Sequence, residues 1–145
     1  MIIDNAKEKL FFPLVQDSEG FPPVAVESVW VRKTRRNNYI IENIPFYAMG
    51  VAMGDTVSAK LNSDNCLSFR KIIRRSGNFT IRVIILKKKK SDELVNFLDK
   101  NHYSWESMKG NMYFAICCNM QNGEMLMNLL NDGCNDEAWD YQQAN

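Results

Sequence analysis

Residues 26–86 form a succession of short β-patterned runs broken by turn residues, with no helical periodicity between them. The runs 26–34, 39–44, 56–61, 66–74 and 79–86 are rich in β-branched and aromatic residues. Such side chains suit a pleated surface better than the crowded flank of a helix. The connections are Arg35-Arg36-Asn37-Asn38, Asn62-Ser63-Asp64-Asn65 and Arg75-Ser76-Gly77-Asn78. Asn, Asp and Gly at these places tolerate left-handed or self-bonded turn conformations. The first two make hairpins, whose strands pair antiparallel, while the third ends its strand. Residues 45–55 are apolar but hold Pro45, Gly50 and Gly54, which predicts a buried crossing loop ending in a tight turn at Gly54-Asp55. The front of the chain therefore predicts a small antiparallel β-barrel-like lobe.

Beyond residue 86 the period changes. Ser91 is placed to cap a helix whose first turn holds Asp92 and Glu93 and whose apolar face is Leu94, Val95, Phe97 and Leu98. Strands 103–108 and 112–118 follow, joined by Lys109-Gly110-Asn111. A second helix spans about residues 122–131, stopped by Gly133, and a last strand covers 139–142. From residue 79 onward the order is strand, helix, strand, strand, helix, strand, the βαββαβ arrangement of ferredoxin-like folds. The expected fold class is α+β. A β-rich lobe at about 25–78 is fused to a ferredoxin-like lobe at about 79–145, in one compact domain with a continuous hydrophobic body. Residues 1–24 hold three of the four prolines and little periodicity, so they are expected as an irregular N-terminal arm.

At 145 residues the chain can bury about two-thirds of its unfolded surface, enough for a core without disulfides or metals. No run approaches the roughly 20 apolar residues that span a bilayer, which excludes a membrane-spanning helix. The mixed charges of residues 1–10 and the short apolar stretch broken by Pro13 do not make a signal peptide, so a cytoplasmic location is expected. Cys117 and Cys118 are neighbours on a probable strand and point to opposite faces, while Cys66 and Cys134 stand apart. Reduced thiols are the expectation.

Charge is divided along the chain. Residues 27–90 hold fourteen basic and four acidic groups, net +10, while residues 91–145 hold two and nine, net −7. The near-zero total of +1 conceals this asymmetry, which points to charged partners. The basic part includes Arg32, Lys33, Arg35, Arg36, Arg74, Arg75 and the run Lys87 to Lys90. Phosphate contacts would use such a cluster, with Tyr39 or Phe69 stacking on bases and Trp30 read as core. The acidic part gathers Glu124, Asp132, Asp136, Glu137 and Asp140 around the last helix and strand, with Trp139 interleaved. An acidic, aromatic-bearing surface can dock on a basic cleft, carboxylates meeting arginines and a central ring providing the anchor.

Catalytic patterns are poorly supported. The single histidine, His102, follows the first helix, where an imidazole can bond the final carbonyls. No Cys-x-x-Cys spacing supports zinc, and the glycines match neither phosphate-loop pattern. Asp55 reads as a turn residue bonded to its own loop. Arg75-Ser76-Gly77 lacks a base for Ser76 and reads equally as a strand-ending turn. No cofactor or metal is expected.

Three stretches carry a resemblance. They are Asn43-Ile44-Pro45-Phe46-Tyr47-Ala48-Met49-Gly50-Val51, then Gly54-Asp55-x-Val57, then Arg75-Ser76-Gly77-x-x-Thr80-x-Arg82-Val83. With the ending Trp139-Asp140-Tyr141, the chain resembles a bacterial family catalogued as domain of unknown function 4265, from about residue 27 to residue 144. The resemblance implies a bacterial, cytoplasmic setting and carries no catalytic residue. From the residues themselves the leading expectation is an immunity protein. It would cover the active site of a cognate toxin domain, such as a nuclease, with Glu124, Asp132, Asp136, Glu137, Trp139 and Asp140. The alternative is a nucleic-acid-binding protein using Arg32, Lys33, Arg35, Arg36, Arg74 and Arg75.

Overall fold

The computed structural model describes residues 7–144, and the chain divides into two compact units between Ser76 and Gly77. The first unit is a closed barrel of five strands: β1 Glu8–Pro13, β2 Val26–Lys33, β3 Tyr39–Ile41, β4 Thr56–Leu61 and β5 Leu67–Arg74, each paired to the next. These successive pairs are antiparallel, joined by short turns at β2–β3 and β4–β5 and by longer loops at β1–β2 and β3–β4. The ring closes through a parallel pairing of β1 with β5, Leu10 opposite Leu67 and Phe11 opposite Ser68. Alternation at period two sends Leu10 and Phe12, Val29 and Val31, and Tyr39 and Ile41 into the interior, where Val57 and the loop residues Ala48 and Val51 join them.

Residues 1–24 were predicted to be an irregular arm, yet residues 8–13 form β1, the strand that closes the barrel; residues 1–6 lie outside the described residues. Without β1, strands β2 and β5 would each present an open edge, which costs unpaired backbone groups. Glu8, Lys9 and Pro13 masked the β pattern, because their compatibility with a strand depends on partners more than a dozen residues away. Trp30 was read as core, but it lies between inward-facing Val29 and Val31 and so points outward, 43% exposed. The Lys9 ammonium sits 5.1 Å from the centre of its ring.

The second unit is a four-stranded antiparallel sheet in the order β7-β8-β6-β9. Its elements are β6 Phe79–Ile85, α1 Ser91–Lys100, β7 Ser104–Met108, β8 Tyr113–Cys118, α2 Gly123–Asn135 and β9 Trp139–Gln143. Leu94 and Leu98 of α1 and Leu126 and Leu130 of α2 repeat at four-residue spacing, so each pair lies on one helix face. They are fully buried with Ile81, Val83, Phe114 and Ile116 of the sheet, and each buried leucine contributes about 1.5–3 kcal/mol.

The helix ends differ from expectation. Ser91 is the first residue of α1 and not its cap; its hydroxyl donates to the carbonyl of Lys88 across a single 3-10 turn at Lys88–Lys90. The side chain that bonds the last carbonyls of α1 is that of Asn101, donating to Phe97 at 2.9 Å, while His102 is exposed with φ +60°. Helix α2 passes through Gly133 and ends at Asn135. Gly133 serves packing, as its bare backbone lies against the Trp139 indole. Among the described residues no helix is long and apolar enough to cross a membrane.

Candidate functional site

Asn43, Gly50, Asp55, Arg75 and Ser76, from the first three stretches that carry the resemblance, meet at the loop between β3 and β4. Glu27, on β2, turns its carboxylate to this loop and accepts the N–H groups of Phe46, Tyr47 and Ala48 at 2.6, 3.0 and 2.7 Å. Asn43 accepts the N–H of Trp30 at 2.7 Å through its side-chain oxygen. Asp55, buried at 1% exposure, accepts from Ala52 N–H at 2.9 Å and from Ser76 N–H at 2.8 Å. The Ser76 hydroxyl lies 2.9 Å from Asp55 Oδ1 and 3.2 Å from the Met53 carbonyl. Arg75 donates to the Gly50 carbonyl at 3.1 Å. A buried carboxylate is tolerated only when donors surround it, and for Asp55 the donors are the Ala52 N–H of its loop and the N–H and hydroxyl of Ser76. Asp55 therefore holds its own turn, as predicted, and also ties down the end of the first unit. The sequence marks Asn43 only as the start of a resembling stretch and gives Glu27 no role; the signal for Glu27 is a lone carboxylate within a β-patterned run.

The six basic candidates do not act as one surface. Arg32 pairs with Glu42, and Arg75 is engaged with the Gly50 carbonyl. Arg35 and Arg36, on the β2–β3 turn, meet Arg74, at the end of β5, across a groove of about 430 Å³. Thr34, Asn38 and Thr56 complete most of its lining, and no carboxylate is among the lining residues. The pairing of Thr56 with Arg74 brings the end of β5 beside the turn. The turn itself is set by Asn37 at φ +59° and by the Asn38 N–H on the Thr34 hydroxyl at 3.2 Å. Lys33 lines a different cavity, on the other flank of the turn.

The acidic candidates are also divided. Glu124, Asp132, Asp136, Glu137 and Asp140 are all exposed. Trp139, predicted to anchor a partner, is 1% exposed and lies in the core of the second unit, its indole N–H donating to the Leu130 carbonyl at 3.0 Å. Trp139 is therefore no anchor for a partner: the period-two pattern of β9 turns Trp139 inward and Asp140 outward. Lysines stand among the carboxylates as well. Lys87 donates to the Asp136 carbonyl at 2.7 Å, and Lys90, paired with Glu93 at 3.0 Å, lines one cleft with Asp132 and Asp136. Arg82 and the lysine run belong to the second unit, so the steep division of charge along the chain does not carry over to the fold. The first unit has eleven basic and eight acidic residues, net +3, and the second has seven and nine, net −2.

None of the four cysteines, all among the described residues, forms a disulfide. Burial, with Cys117 adding a smaller contribution, pushes the Cys118 thiol up to about 12. Burial followed by the nearby Asp140 raises the Cys134 thiol too. Among the described residues no group of three or more His, Cys, Asp or Glu is placed to hold a metal ion.

A closed five-stranded barrel and a separate four-stranded sheet carrying two helices define a mixed α+β protein. The chain belongs to the family described as a domain of unknown function (DUF4265), whose profile matches residues 27–141. Among solved structures it is similar to a hypothetical protein from Neisseria gonorrhoeae, with 23% sequence identity and a TM-score of 0.78 over 97% of this chain and 96% of that one. At that identity the likeness speaks for the fold. No match was found among curated proteins.

Proposed function

We propose that this protein binds nucleic acid through the arginine-lined groove of its barrel. The observation that carries the reading is the convergence of Arg35, Arg36 and Arg74 on one groove with no carboxylate in its lining. Guanidinium groups bond phosphate in bidentate fashion and stay charged at every physiological pH. Thr34, Asn38 and Thr56 add the neutral hydroxyl and amide groups that position a phosphate backbone without reading sequence. The protein would work in the cytoplasm and would need no cofactor for this. The strand order of the second unit, with one helix in each crossover, supports a ferredoxin-like description of that unit.

The test is fluorescence anisotropy with a labelled oligonucleotide over a salt series, for the wild type and for Arg35→Glu with Arg36→Glu. Affinity should fall steeply with salt, and the double reversal should weaken binding by at least tenfold and flatten the salt slope. Affinity indifferent to salt or to the reversal would sink the reading.

A second reading, an immunity protein that covers a toxin's active site, keeps one supporting observation: five exposed carboxylates around α2 and β9. It has lost its aromatic anchor, since Trp139 is internal, and lysines interrupt its surface. Purification of the tagged protein co-expressed with the genes upstream of its own, after nuclease treatment, should yield a stoichiometric toxin domain if this reading holds. Reversal of Asp136 and Glu137 to lysine should then abolish the complex; an unaffected complex would rule out this surface.

A further inference from the structure

The cavity on the other flank of the β2–β3 turn has no part in the proposal above. It is an open depression of about 700 Å³ that combines two cations, Lys9 and Lys33, with the Phe11 ring, the largely buried Tyr39 and two side-chain amides, Asn37 and Asn65. Glu8 also lines it, as do apolar side chains of β4 and β5. Burial, and secondarily the Glu8 carboxylate, raise the Tyr39 phenol above its ordinary value, so it stays protonated. Lys9 is held nearby by the outward-facing Trp30 ring.

The two cavities are contiguous along the chain. Lys33 and Asn37 line this one, while Thr34, Arg35, Arg36 and Asn38 line the arginine groove, so one turn separates a phosphate-type surface from a ring-lined cavity. Resting on the nucleic-acid reading, we infer that the ligand is a single strand, its backbone crossing the turn from the arginine groove toward Lys33 and one base entering this cavity beside Phe11 and Tyr39. A duplex keeps its base faces stacked inside and offers proteins phosphates and groove edges. An unpaired base has free faces that stack on aromatic rings and free edges that meet amides, and phosphate contacts alone do not require either. The ring of Phe11 fits the face of an unpaired base, which a duplex does not offer.

The experiment compares a labelled oligothymidylate with a duplex of equal length in the same buffer, by anisotropy. The proteins are the wild type, Phe11→Ala and Leu61→Asp, the last placing a charge at an exposed position of the cavity lining. The single strand should bind more tightly than the duplex. Each variant should weaken single-strand binding by roughly tenfold and leave duplex binding unchanged. Leu61→Asp, being on the surface, keeps the test valid if Phe11→Ala disturbs the barrel. Equal affinity for both nucleic acids, or an equal loss on both, would overturn the single-strand inference while leaving the arginine groove standing. Binding of neither would remove the nucleic-acid reading itself.

Discussion

The indole of Trp139 lies across the backbone of Gly133, so closely that a Cβ built on Gly133 would fall 2.2 Å from Trp139 Cε2. The same ring donates its N–H to the Leu130 carbonyl one turn earlier, so helix α2 and strand β9 are joined by a close approach and a hydrogen bond at once. In an exposed helix, exchanging glycine for alanine would gain about 1 kcal/mol. Here overpacking against a fully buried ring costs about 1–3 kcal/mol and should win. Gly133→Ala is expected to lower the thermal midpoint of unfolding; an unchanged or raised midpoint would show that the ring can shift freely.

Asp55 holds three donors, the N–H groups of Ala52 and Ser76 and the Ser76 hydroxyl. Asp55→Ala strands these groups around a buried site and should destabilise the protein by about 3 kcal/mol, measured by urea unfolding. Ser76→Ala removes only the hydroxyl and should cost about 1 kcal/mol. A larger loss for Ser76→Ala than for Asp55→Ala would contradict the hierarchy.

Glu27 supports the β3–β4 loop through three consecutive N–H groups. In Glu27→Ala, hydrogen exchange at Phe46, Tyr47 and Ala48 should accelerate by about tenfold or more, while the ladder between Val31 and Ile41 keeps its protection. Acceleration spread evenly over the barrel would mean that Glu27 stabilises the unit as a whole and not this loop.

Cys118 keeps its proton in the folded protein up to about 12, against an ordinary thiol value of 9.0. Above 9.0 the unfolded chain releases that proton and the folded chain does not. Its contribution to stability is therefore intact below the unfolded value and is lost as pH rises toward the folded one. Urea midpoints taken on either side of this thiol value should fall with pH in the wild type and fall less in Cys118→Ala. Parallel curves would indicate that the thiol ionises in place.

The β2–β3 and β4–β5 hairpins and both helices were readable because each is governed by local rules. Asn62 accepts the N–H groups of Asp64 and Cys66, and Asn65 takes φ +62°, as the composition of that turn required. Leu94 and Leu98 repeat at helical spacing and are buried together. Of the candidate surfaces, Arg35 and Arg36 were readable as a pair on one turn. Their junction with Arg74 was not, since it depends on the β4–β5 pairing that sets Arg74 opposite Thr56.

Periodicity, turn chemistry and charge are properties of neighbours in the chain, so they settled the identity of most elements, the family and the list of candidate residues. Closure of the barrel by residues 8–13, the outward turn of Trp30, the burial of Trp139 against Gly133 and the sharing of Lys87 and Lys90 with the acidic end were decided by folding. Each depends on which strand lies beside which and on which face is covered. Those are contacts between residues far apart in the chain, where a one-residue slip of pairing register reverses inside and outside.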